Sequence, residues 1–314
     1  MKLPQIIHSS VLMASLLCSP AVFSATEQKT LDIVHAQGTT TVPYQPQKVV
    51  VLSPAALDIT DALGIKVVGV PQTSAHYPGY LQQYQNADYF NAGTLFEPNF
   101  EALNNAQPDL IIAGARAREA YNKLSDIAPT ISPDLDPQHF VQSLHERTEQ
   151  LGEIFGKQAQ AKQLLADFDA QIADVRQLST QAGSALMLMV NGGKISAYSP
   201  GSRFGFIYDV LGFKPATTFA TTGSHGNAVS AEFIMEANPD WLFVVDRDNA
   251  IGRQDGTSAQ QVLDNPLVRR TNAWKKQHII YLDSSALYIS GGIQSYSRFM
   301  NQVKQKLNQA HDPS

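Results

Sequence analysis

Two segments of the chain repeat one another, and this duplication limits the possible folds more than any other feature. Residues 101–116 read EALNNAQPDLIIAGAR and residues 232–247 read EFIMEANPDWLFVVDR, and they align without a gap. The identical pairs are Glu101/Glu232, Ala106/Ala237, Pro108/Pro239, Asp109/Asp240 and Arg116/Arg247. A second pair, DALGIK at 61–66 and DVLGFK at 209–214, occurs in the same order. The matches predict two copies of one structural unit, although a helix, Pro-Asp and a strand is also a common local pattern.

The Pro-Asp pair indicates how each copy folds. Proline disfavours helix in the residue before it, so Pro-Asp ends a helix and introduces the apolar run that follows, which predicts a buried strand. Arg116 and Arg247 therefore come just after the carboxyl ends of two equivalent strands. Ligands of open α/β sheets bind at that end of the strands. If the two units face one another, both arginines point into one cleft.

The remaining sequence alternates short apolar runs with short helical patterns. Residues 48–52 and 67–70 predict buried parallel strands, and a helix is predicted over 57–63 between them. A strand over 110–113 and a helix over 117–124 continue the alternation. This order is typical of α/β layers. Together with the duplication it predicts two Rossmann-like lobes with parallel-rich central sheets.

One long helix is expected to join the lobes. Residues 158–181 contain neither glycine nor proline, and their apolar residues recur at helical spacing. A helix of about 22 residues is about 33 Å long, which is long for a crossover inside one domain. We therefore predict an N-terminal lobe over 25–156, a linking helix over 157–182 and a C-terminal lobe over 183–314, with the ligand cleft between the lobes.

Residues 1–24 have the pattern of a secretory signal peptide. Lys2 provides the positive start, an apolar run follows, and the small residue Ser24 marks the expected cleavage site. Cys18 is the only cysteine, and a lipoprotein signal would need leucine and a small residue where Ser15 and Leu17 stand. We therefore predict export to the periplasm without a lipid anchor. The mature chain would have 290 residues, since 314 − 24 = 290.

Charge and motifs argue against two other classes of protein. Removal of Lys2 with the signal peptide takes the formal net charge from −5 to −6, which argues against nucleic-acid binding. The sequence contains no Gly-x-Ser-x-Gly, P-loop, GxGxxG or His-Glu-x-x-His motif and, once processed, no cysteine nucleophile. No histidine pair has the spacing of a structural zinc site. We therefore predict a binding protein without an intrinsic cofactor, with an α/β enzyme as the remote alternative.

Several motifs resemble those of the periplasmic binding proteins of iron–siderophore and cobalamin ABC importers. These motifs are KVVVLSPAALDITDALGI at 48–65, PNFEALNNAQPDLII at 98–112, the long helix, and VSAEFIMEANPDWLFVVDR at 229–247. SRFGFIYDVLGF at 202–213 and VLDNPLV at 262–268 resemble the branch that binds ferric catecholate siderophores of the enterobactin type. The resemblance extends over nearly all of the mature chain. It implies a bilobed class III fold, a rigid hinge with little lobe closure, and a monomer that delivers its cargo to an inner-membrane ABC permease and its ATPase.

The resemblance also implies roles for individual residues. They are ligand-binding arginines at Arg116, Arg203 and Arg247, metal ligands at His225 and Tyr288, and permease-docking glutamates at Glu101 and Glu232. A ferric tris-catecholate is a trianion, so several fixed guanidinium groups would neutralise it and donate hydrogen bonds to its oxygens. Arg118 lies nearby in the sequence, but the family register favours Arg116.

An imidazole and a phenolate together can complete the coordination of an iron cargo. Octahedral Fe(III) has six positions, and a tetradentate bis-catecholate leaves two of them for His225 and for Tyr288, which would lose its phenol proton. A hexadentate tris-catecholate needs neither side chain. Haem, a hydroxamate siderophore and cobalamin remain alternative cargoes, and tyrosine and histidine can be axial ligands of haem. The three arginines favour a multiply charged anion, with Fe(III) arriving as the siderophore complex.

Overall fold

The computed structural model describes Met1 and residues 29–219, 226–253 and 256–311. These residues form two α/β lobes, each built on its own sheet, with a cleft between them. The two-lobed α/β fold predicted from the sequence is therefore confirmed. Apart from Met1, the predicted signal peptide at 1–24 lies outside the described residues. No helix within the described ranges is long and apolar enough to cross a membrane.

The N-terminal lobe consists of a hairpin and a five-stranded parallel sheet. Its strands are β1 (Thr30–His35), β2 (Gly38–Pro43), β3 (Val49–Val51), β4 (Gly69–Val70), β5 (Phe90–Asn91), β6 (Leu110–Ile112) and β7 (Thr130–Ile131). Its helices are α1 (Pro54–Ala62), α2 (Phe100–Ala106), α3 (Tyr121–Ser125) and α4 (Phe140–Ile154), with 3-10 segments at Gly79–Gln85 and Ala115–Ala120. The strand order in the sheet is β5-β4-β3-β6-β7. Strands β3 and β6 are fully buried, which explains their uninterrupted apolar sequences.

The linking helix α5 (Gln158–Ser179) has the 22 residues expected for it. It begins one residue after the predicted start at 157 and ends three residues before the predicted end at 182. Its buried residues include Ala161, Leu165 and Phe168, which recur at three- and four-residue spacing along one face. The helix is therefore amphipathic, as the sequence pattern indicated, and its polar face is left to solvent.

The C-terminal lobe has a mixed sheet of six strands. They are β8 (Ser184–Asn191), β9 (Lys194–Tyr198), β10 (Lys214–Pro215), β11 (Asn227–Val229), β12 (Trp241–Asp246) and β13 (Ile279–Tyr281). The helices are α6 (Phe206–Asp209), α7 (Ala231–Ala237), α8 (Arg247–Ala250), α9 (Ala259–Leu263), α10 (Asn272–Lys275) and α11 (Ile293–His311), with a 3-10 segment at Val268–Arg270 and a π-helical segment at Ser285–Ser290. The strand order is β11-β9-β8-β12-β13, with β10 paired to β8. Among these described strands β9 alone runs in the opposite direction, so its pairs with β8 and β11 are antiparallel and the other pairs are parallel.

The duplicated sequence segments have equivalent backbones. Helices α2 and α7 have seven residues each, and each is capped at its N-terminus by a side chain, from Asn99 and Ser230 respectively. Each helix ends at a residue in the left-handed region, Gln107 with φ +46° and Asn238 with φ +40°. Pro-Asp and a buried strand then follow in both lobes. The sequence repeat therefore corresponds to a structural repeat.

The aspartate of each Pro-Asp pair explains part of this repeat. Asp109 accepts a hydrogen bond from the N–H of Lys48 at 2.8 Å, just before the neighbouring strand β3. Asp240 accepts one from the N–H of Ser184 at 3.0 Å, at the start of the neighbouring strand β8. Each carboxylate therefore satisfies a backbone donor that the sheet would otherwise leave unpaired. This gives the aspartate the same structural role in both lobes.

The lobes are packed together through a shared hydrophobic core. One buried cluster includes Leu57 of α1, Phe168 of α5, Phe206 of α6 and Met300 of α11. Helix α5 packs against both α4 and α11, so it contacts an element of each lobe. Opening the hinge would expose this apolar surface to water at a cost of about 25 cal/mol per Å². The packing therefore favours a rigid hinge.

Candidate ligand-binding cleft

Three arginines reach the cleft from three different places in the fold. Arg116 lies in the 3-10 segment that follows β6, and Arg203 lies in the turn between β9 and α6. Arg247 is the first residue of α8, directly after β12. The structure brings all three guanidinium groups to one residue, Tyr288.

Tyr288 is the centre of this cluster, and it binds the arginines through both its backbone and its side chain. Its carbonyl oxygen accepts hydrogen bonds from Nη2 of Arg116 at 2.9 Å and Nη2 of Arg203 at 2.8 Å. Its hydroxyl oxygen accepts one from Nε of Arg247 at 2.7 Å. The guanidinium carbons of Arg203 and Arg247 lie 4.5 and 5.4 Å from the centre of the ring. Both distances are within the range of a cation–π interaction.

Local backbone features place these side chains. Gly114 leads into the turn that carries Arg116, and a Cβ atom there would lie 2.7 Å from Cβ of Ser53, so only glycine permits this close approach. The tyrosine lies in the π-helical segment Ser285–Ser290, a type of turn that is frequent at functional sites. Gly291 ends the segment in the left-handed region, with φ +76°.

Three guanidinium groups give the cluster a positive charge. In the part of the chain that the structure describes, Arg116, Arg203 and Arg247 form no ion pair with a carboxylate. Two further hydrogen bonds go to neutral groups, from Arg116 to the carbonyl of Ile289 and from Arg247 to the amide oxygen of Asn191, both at 3.1 Å. Burial, and secondly the charge of Arg203, lower the pKa of the Arg116 guanidinium. Both causes disfavour the uncompensated cation, so an anion bound here would stabilise it.

The cluster divides the cleft into two chambers. The first has a volume of about 390 Å³ and lies between the cluster and the N-terminal lobe loops 73–75 and 94–96. The second has a volume of about 310 Å³ and lies against residues 52–55, 114–117 and 133–137. Both chambers share Arg116, Arg203 and Tyr288 as a wall. They lie at the carboxyl ends of the N-terminal lobe strands, where open α/β sheets bind ligands.

Sequence reasoning missed two residues of this cleft. Phe96, which is 66 % exposed, lines the first chamber, and Asn191 binds Arg247. The loop around Phe96 has no periodic pattern that would distinguish a ligand contact from an ordinary surface residue. Asn191 precedes a Gly-Gly turn at the end of β8, a signal for the end of a strand but not for a contact with an arginine.

Two other residues were considered from the sequence, the predicted metal ligand His225 and the alternative arginine Arg118. His225 lies outside the described residues. Arg118 is exposed and forms an ion pair with Asp134 at 3.4 Å. Of the two neighbouring arginines, the structure therefore brings Arg116 and not Arg118 to Tyr288. Within 29–219, 226–253 and 256–311, no group of three or more histidine, cysteine or acidic side chains is placed to hold a metal ion.

Glu101 and Glu232 occupy equivalent places on the two lobes. They lie in the first turns of α2 and α7, and both side chains are exposed. The backbone N–H of Glu232, and then the hydroxyl of Ser230, lower the pKa of the Glu232 carboxyl and keep it ionised. The lobes therefore present a matched pair of acidic side chains.

Several known proteins are similar to this chain in both sequence and architecture. The profile of the periplasmic binding protein family matches residues 49–286. The petrobactin-binding protein YclQ of Bacillus subtilis is 40% identical over 290 residues, which cover 90% of each chain. Its crystal structure superposes on this chain with a TM-score of 0.84, covering 89% of this chain and 99% of that one.

Two further solved structures are similar over most of their length. The periplasmic catecholate-siderophore binding protein VctP of Vibrio cholerae is 35% identical and has a TM-score of 0.83, with 88% and 100% of the two chains covered. The siderophore binding protein BauB, bound to a complex between two molecules of acinetobactin and ferric iron, is 32% identical. Its TM-score is 0.80, with 89% and 99% covered. The family match spans most of the chain, and the fold and sequence agree with it. The chain therefore belongs to the periplasmic binding protein family.

Proposed function

We propose that this protein captures an Fe(III)–catecholate siderophore in the cleft between its lobes and delivers it to an inner-membrane ABC permease. The observation that carries the proposal is the convergence of Arg116, Arg203 and Arg247 on Tyr288, with no ion pair from any of them to a carboxylate among the described residues. The petrobactin-binding YclQ and the catecholate-siderophore binding VctP support the choice of cargo.

The charge of the cluster suits such a cargo. Ferric catecholate complexes are anions whose charge is spread over several oxygen atoms, and guanidinium groups donate charge-assisted hydrogen bonds to oxygens of this kind. Each of the three arginines keeps N–H groups beyond those used on Tyr288, because a guanidinium has five. The cluster can therefore bind the complex without first breaking its own contacts. The exposed ring of Phe96 gives the same chamber an apolar surface against which a catechol ring can pack.

Tyr288 can supply one ligand to an incompletely coordinated iron. Tyr288 is part of the lining of the arginine-lined chamber, and its hydroxyl accepts a hydrogen bond from Arg247 at 2.7 Å. When the phenol oxygen binds Fe(III), its proton leaves to water, and the same Arg247 N–H stabilises the phenolate that remains. His225 is proposed as the second ligand from the sequence. BauB, which is bound to a complex between two molecules of acinetobactin and ferric iron, is consistent with a family site that accepts composite complexes.

Delivery requires export and docking. We propose that the signal peptide is cleaved after Ser24 and that the mature protein acts in the periplasm as a monomer. Glu101 and Glu232, one exposed on each lobe, are proposed to contact the permease, whose ATPase drives uptake. No intrinsic cofactor is required, since the iron arrives as part of the cargo.

A titration with a panel of iron complexes tests the proposed cargo. Intrinsic fluorescence is followed while the mature protein is titrated with ferric bis-catecholate, ferric tris-catecholate, a ferric hydroxamate, haem and cobalamin. We expect quenching at the lowest concentrations with the two catecholate complexes, and a visible chromophore that stays with the protein through gel filtration. Iron-free catechol ligand is the matched control. Tighter binding of haem, the hydroxamate or cobalamin would overturn the assignment.

A further inference from the structure

A buried carboxylate connects the two lobes close to the proposed iron ligand. Asp58 lies in α1 of the N-terminal lobe and is 0% exposed. Its oxygens accept hydrogen bonds from the hydroxyl of Tyr80 at 2.7 Å, the hydroxyl of Ser290 at 3.1 Å, the N–H of Gln294 at 2.7 Å, and the N–H and hydroxyl of Ser295 at 3.0 and 2.9 Å. Burial raises the pKa of Asp58, whereas the bonds from Tyr80, Gln294 and Ser295 act in the opposite direction. Most of these donors belong to the other lobe.

The carboxylate caps a helix of the C-terminal lobe. Helix α11 begins at Ile293, so the N–H groups of Gln294 and Ser295 lie in its first turn, where no intrahelical acceptor is available. A negative charge at this position is also favoured by the helix dipole. The side-chain amide of Gln294 adds hydrogen bonds to the Asp58 carbonyl at 3.0 Å and the Asp61 carboxylate at 2.8 Å. The start of α11 is therefore anchored on α1.

The segment that carries Tyr288 is consequently bound to the N-terminal lobe on both sides. On one side Arg116 donates to the carbonyls of Tyr288 and Ile289. On the other side Ser290, two residues after the tyrosine, donates to Asp58. Tyr288 belongs to the C-terminal lobe in sequence, yet these contacts hold its position relative to the N-terminal lobe.

The glycine pair after this segment has a steric explanation in the same carboxylate. A Cβ atom on Gly292 would lie 2.5 Å from Cβ, Cγ and Oδ1 of Asp58, a distance that side chains do not adopt. Gly291 turns the chain with φ +76°, a conformation that favours glycine. The backbone therefore approaches Asp58 closely because Gly292 lacks a side chain, and Gly291 permits the turn that precedes it.

We propose that Asp58 is a positioning residue for iron binding, which sets the place of the Tyr288 phenol in the cleft by anchoring Ser290 and the start of α11 to the N-terminal lobe. This role rests on the proposed function of Tyr288 as an iron ligand. A siderophore that fills all six coordination positions of its iron does not use the Tyr288 phenol, so Asp58 matters mainly for tetradentate complexes. Asp58 itself does not touch the cargo.

The test compares Asp58→Asn with Tyr288→Phe, using ferric bis-catecholate and ferric tris-catecholate as probes. Asparagine keeps the size of the side chain, but its NH2 group cannot accept hydrogen bonds from the donors that surround Asp58. The hydrogen bonds that hold Ser290 and the start of α11 should therefore weaken. We expect the bis-catecholate affinity to fall about tenfold and the visible charge-transfer band to move in the same direction as in Tyr288→Phe. The tris-catecholate affinity should change less than about threefold. Circular dichroism and urea unfolding check that each variant is folded.

Two further variants complete the design. Thr60→Val is the matched control, because Thr60 is also fully buried on α1 but its hydroxyl bonds to the carbonyl of Leu57 in the same helix, at 3.0 Å. It should leave the band and both affinities unchanged. Ser290→Ala removes a single donor to Asp58 and replaces Asp58→Asn in the test if that variant does not fold. We expect the bis-catecholate affinity and the charge-transfer band to change in the same direction as in Asp58→Asn, but less.

The outcomes separate this role from the proposed function. If Tyr288→Phe alters the tetradentate band but neither Asp58→Asn nor Ser290→Ala does, the positioning role is overturned and the iron ligation stands. Equal losses of affinity for both complexes would also overturn the role, because they indicate general damage to the cleft. If Tyr288→Phe leaves the band unchanged, the ligation fails and the positioning role fails with it.

Discussion

Replacement of Arg116 by alanine should separate direct contact with the cargo from general electrostatic attraction. The half-buried guanidinium of Arg116 donates two hydrogen bonds, at 2.9 and 3.1 Å, to the carbonyls of Tyr288 and Ile289. Its remaining N–H groups, which bind no acceptor among the described residues, can bind catecholate oxygens. A hydrogen bond to a charged group is worth about 1.5–3 kcal/mol, so the affinity for ferric catecholate should fall about 10- to 150-fold.

The same change should also lower stability, because it takes a hydrogen-bond partner from one buried acceptor. The carbonyl of Tyr288 keeps the hydrogen bond from Arg203, but that of Ile289 loses the one from Arg116. An unsatisfied buried acceptor costs about 1–3 kcal/mol, so we expect the free energy of unfolding to decrease by about that amount. Urea unfolding of the ligand-free protein measures this term, and fluorescence titration of the folded protein measures the affinity.

Arg118→Ala is the matched control in the same loop. It removes the same charge, but Arg118 is exposed and pairs with Asp134 at 3.4 Å, a contact worth about 0–1 kcal/mol. The affinity of the Arg118→Ala variant for ferric catecholate should change less than about threefold. Its difference from the parent affinity should shrink as the salt concentration is raised. Equal losses of affinity in Arg116→Ala and Arg118→Ala, both abolished by added salt, would refute a direct contact between Arg116 and the cargo. The cleft would then attract its cargo by net charge and not through contacts of the cluster.

Three further predictions concern docking, motion and iron ligation. Glu101→Ala combined with Glu232→Ala should abolish uptake by whole cells and leave the affinity for the cargo unchanged; a loss of affinity would place these residues in the cleft or the fold. Because the helix at 158–179 packs on both lobes, small-angle scattering should show nearly the same radius of gyration with and without cargo, and a clear decrease on loading would contradict a rigid hinge. The double variant His225→Ala, Tyr288→Phe should lose affinity for a bis-catecholate complex much more than for a tris-catecholate one, with a shifted charge-transfer band, whereas equal losses would mean that neither side chain binds iron.

The elements that the sequence predicted well are those whose cause is local. The helix over 158–181 was visible because it lacks glycine and proline and keeps a helical apolar period, and the structure has it at Gln158–Ser179. The prediction of a helix over 117–124 was less accurate, because the chain forms a 3-10 segment at Ala115–Ala120 before α3. That segment follows Gly114, whose backbone packs closely against Ser53. A contact between such distant residues is not visible in any local sequence pattern.

The repeat shows how much of the site the sequence could determine. Pro-Asp at the start of equivalent strands was enough to place Arg116 and Arg247 at strand ends, because strand direction and ligand position are linked in open α/β sheets. The family resemblance added Arg203 and Tyr288. The sequence did not reveal that all three arginines bind Tyr288.

What the sequence determined by itself is thus the pair of α/β units, the helix between them and the strand-end arginines, because each follows from the preferences of a short stretch of chain. The tertiary structure alone decided that Arg116 meets the backbone of Tyr288, 172 residues away, and that Asp58 caps a helix whose residue Ser295 is 237 residues away. These contacts depend on how the two lobes pack against a shared core. Patterns within a short stretch of chain carry no information about which distant donor a carbonyl or a buried carboxylate will meet.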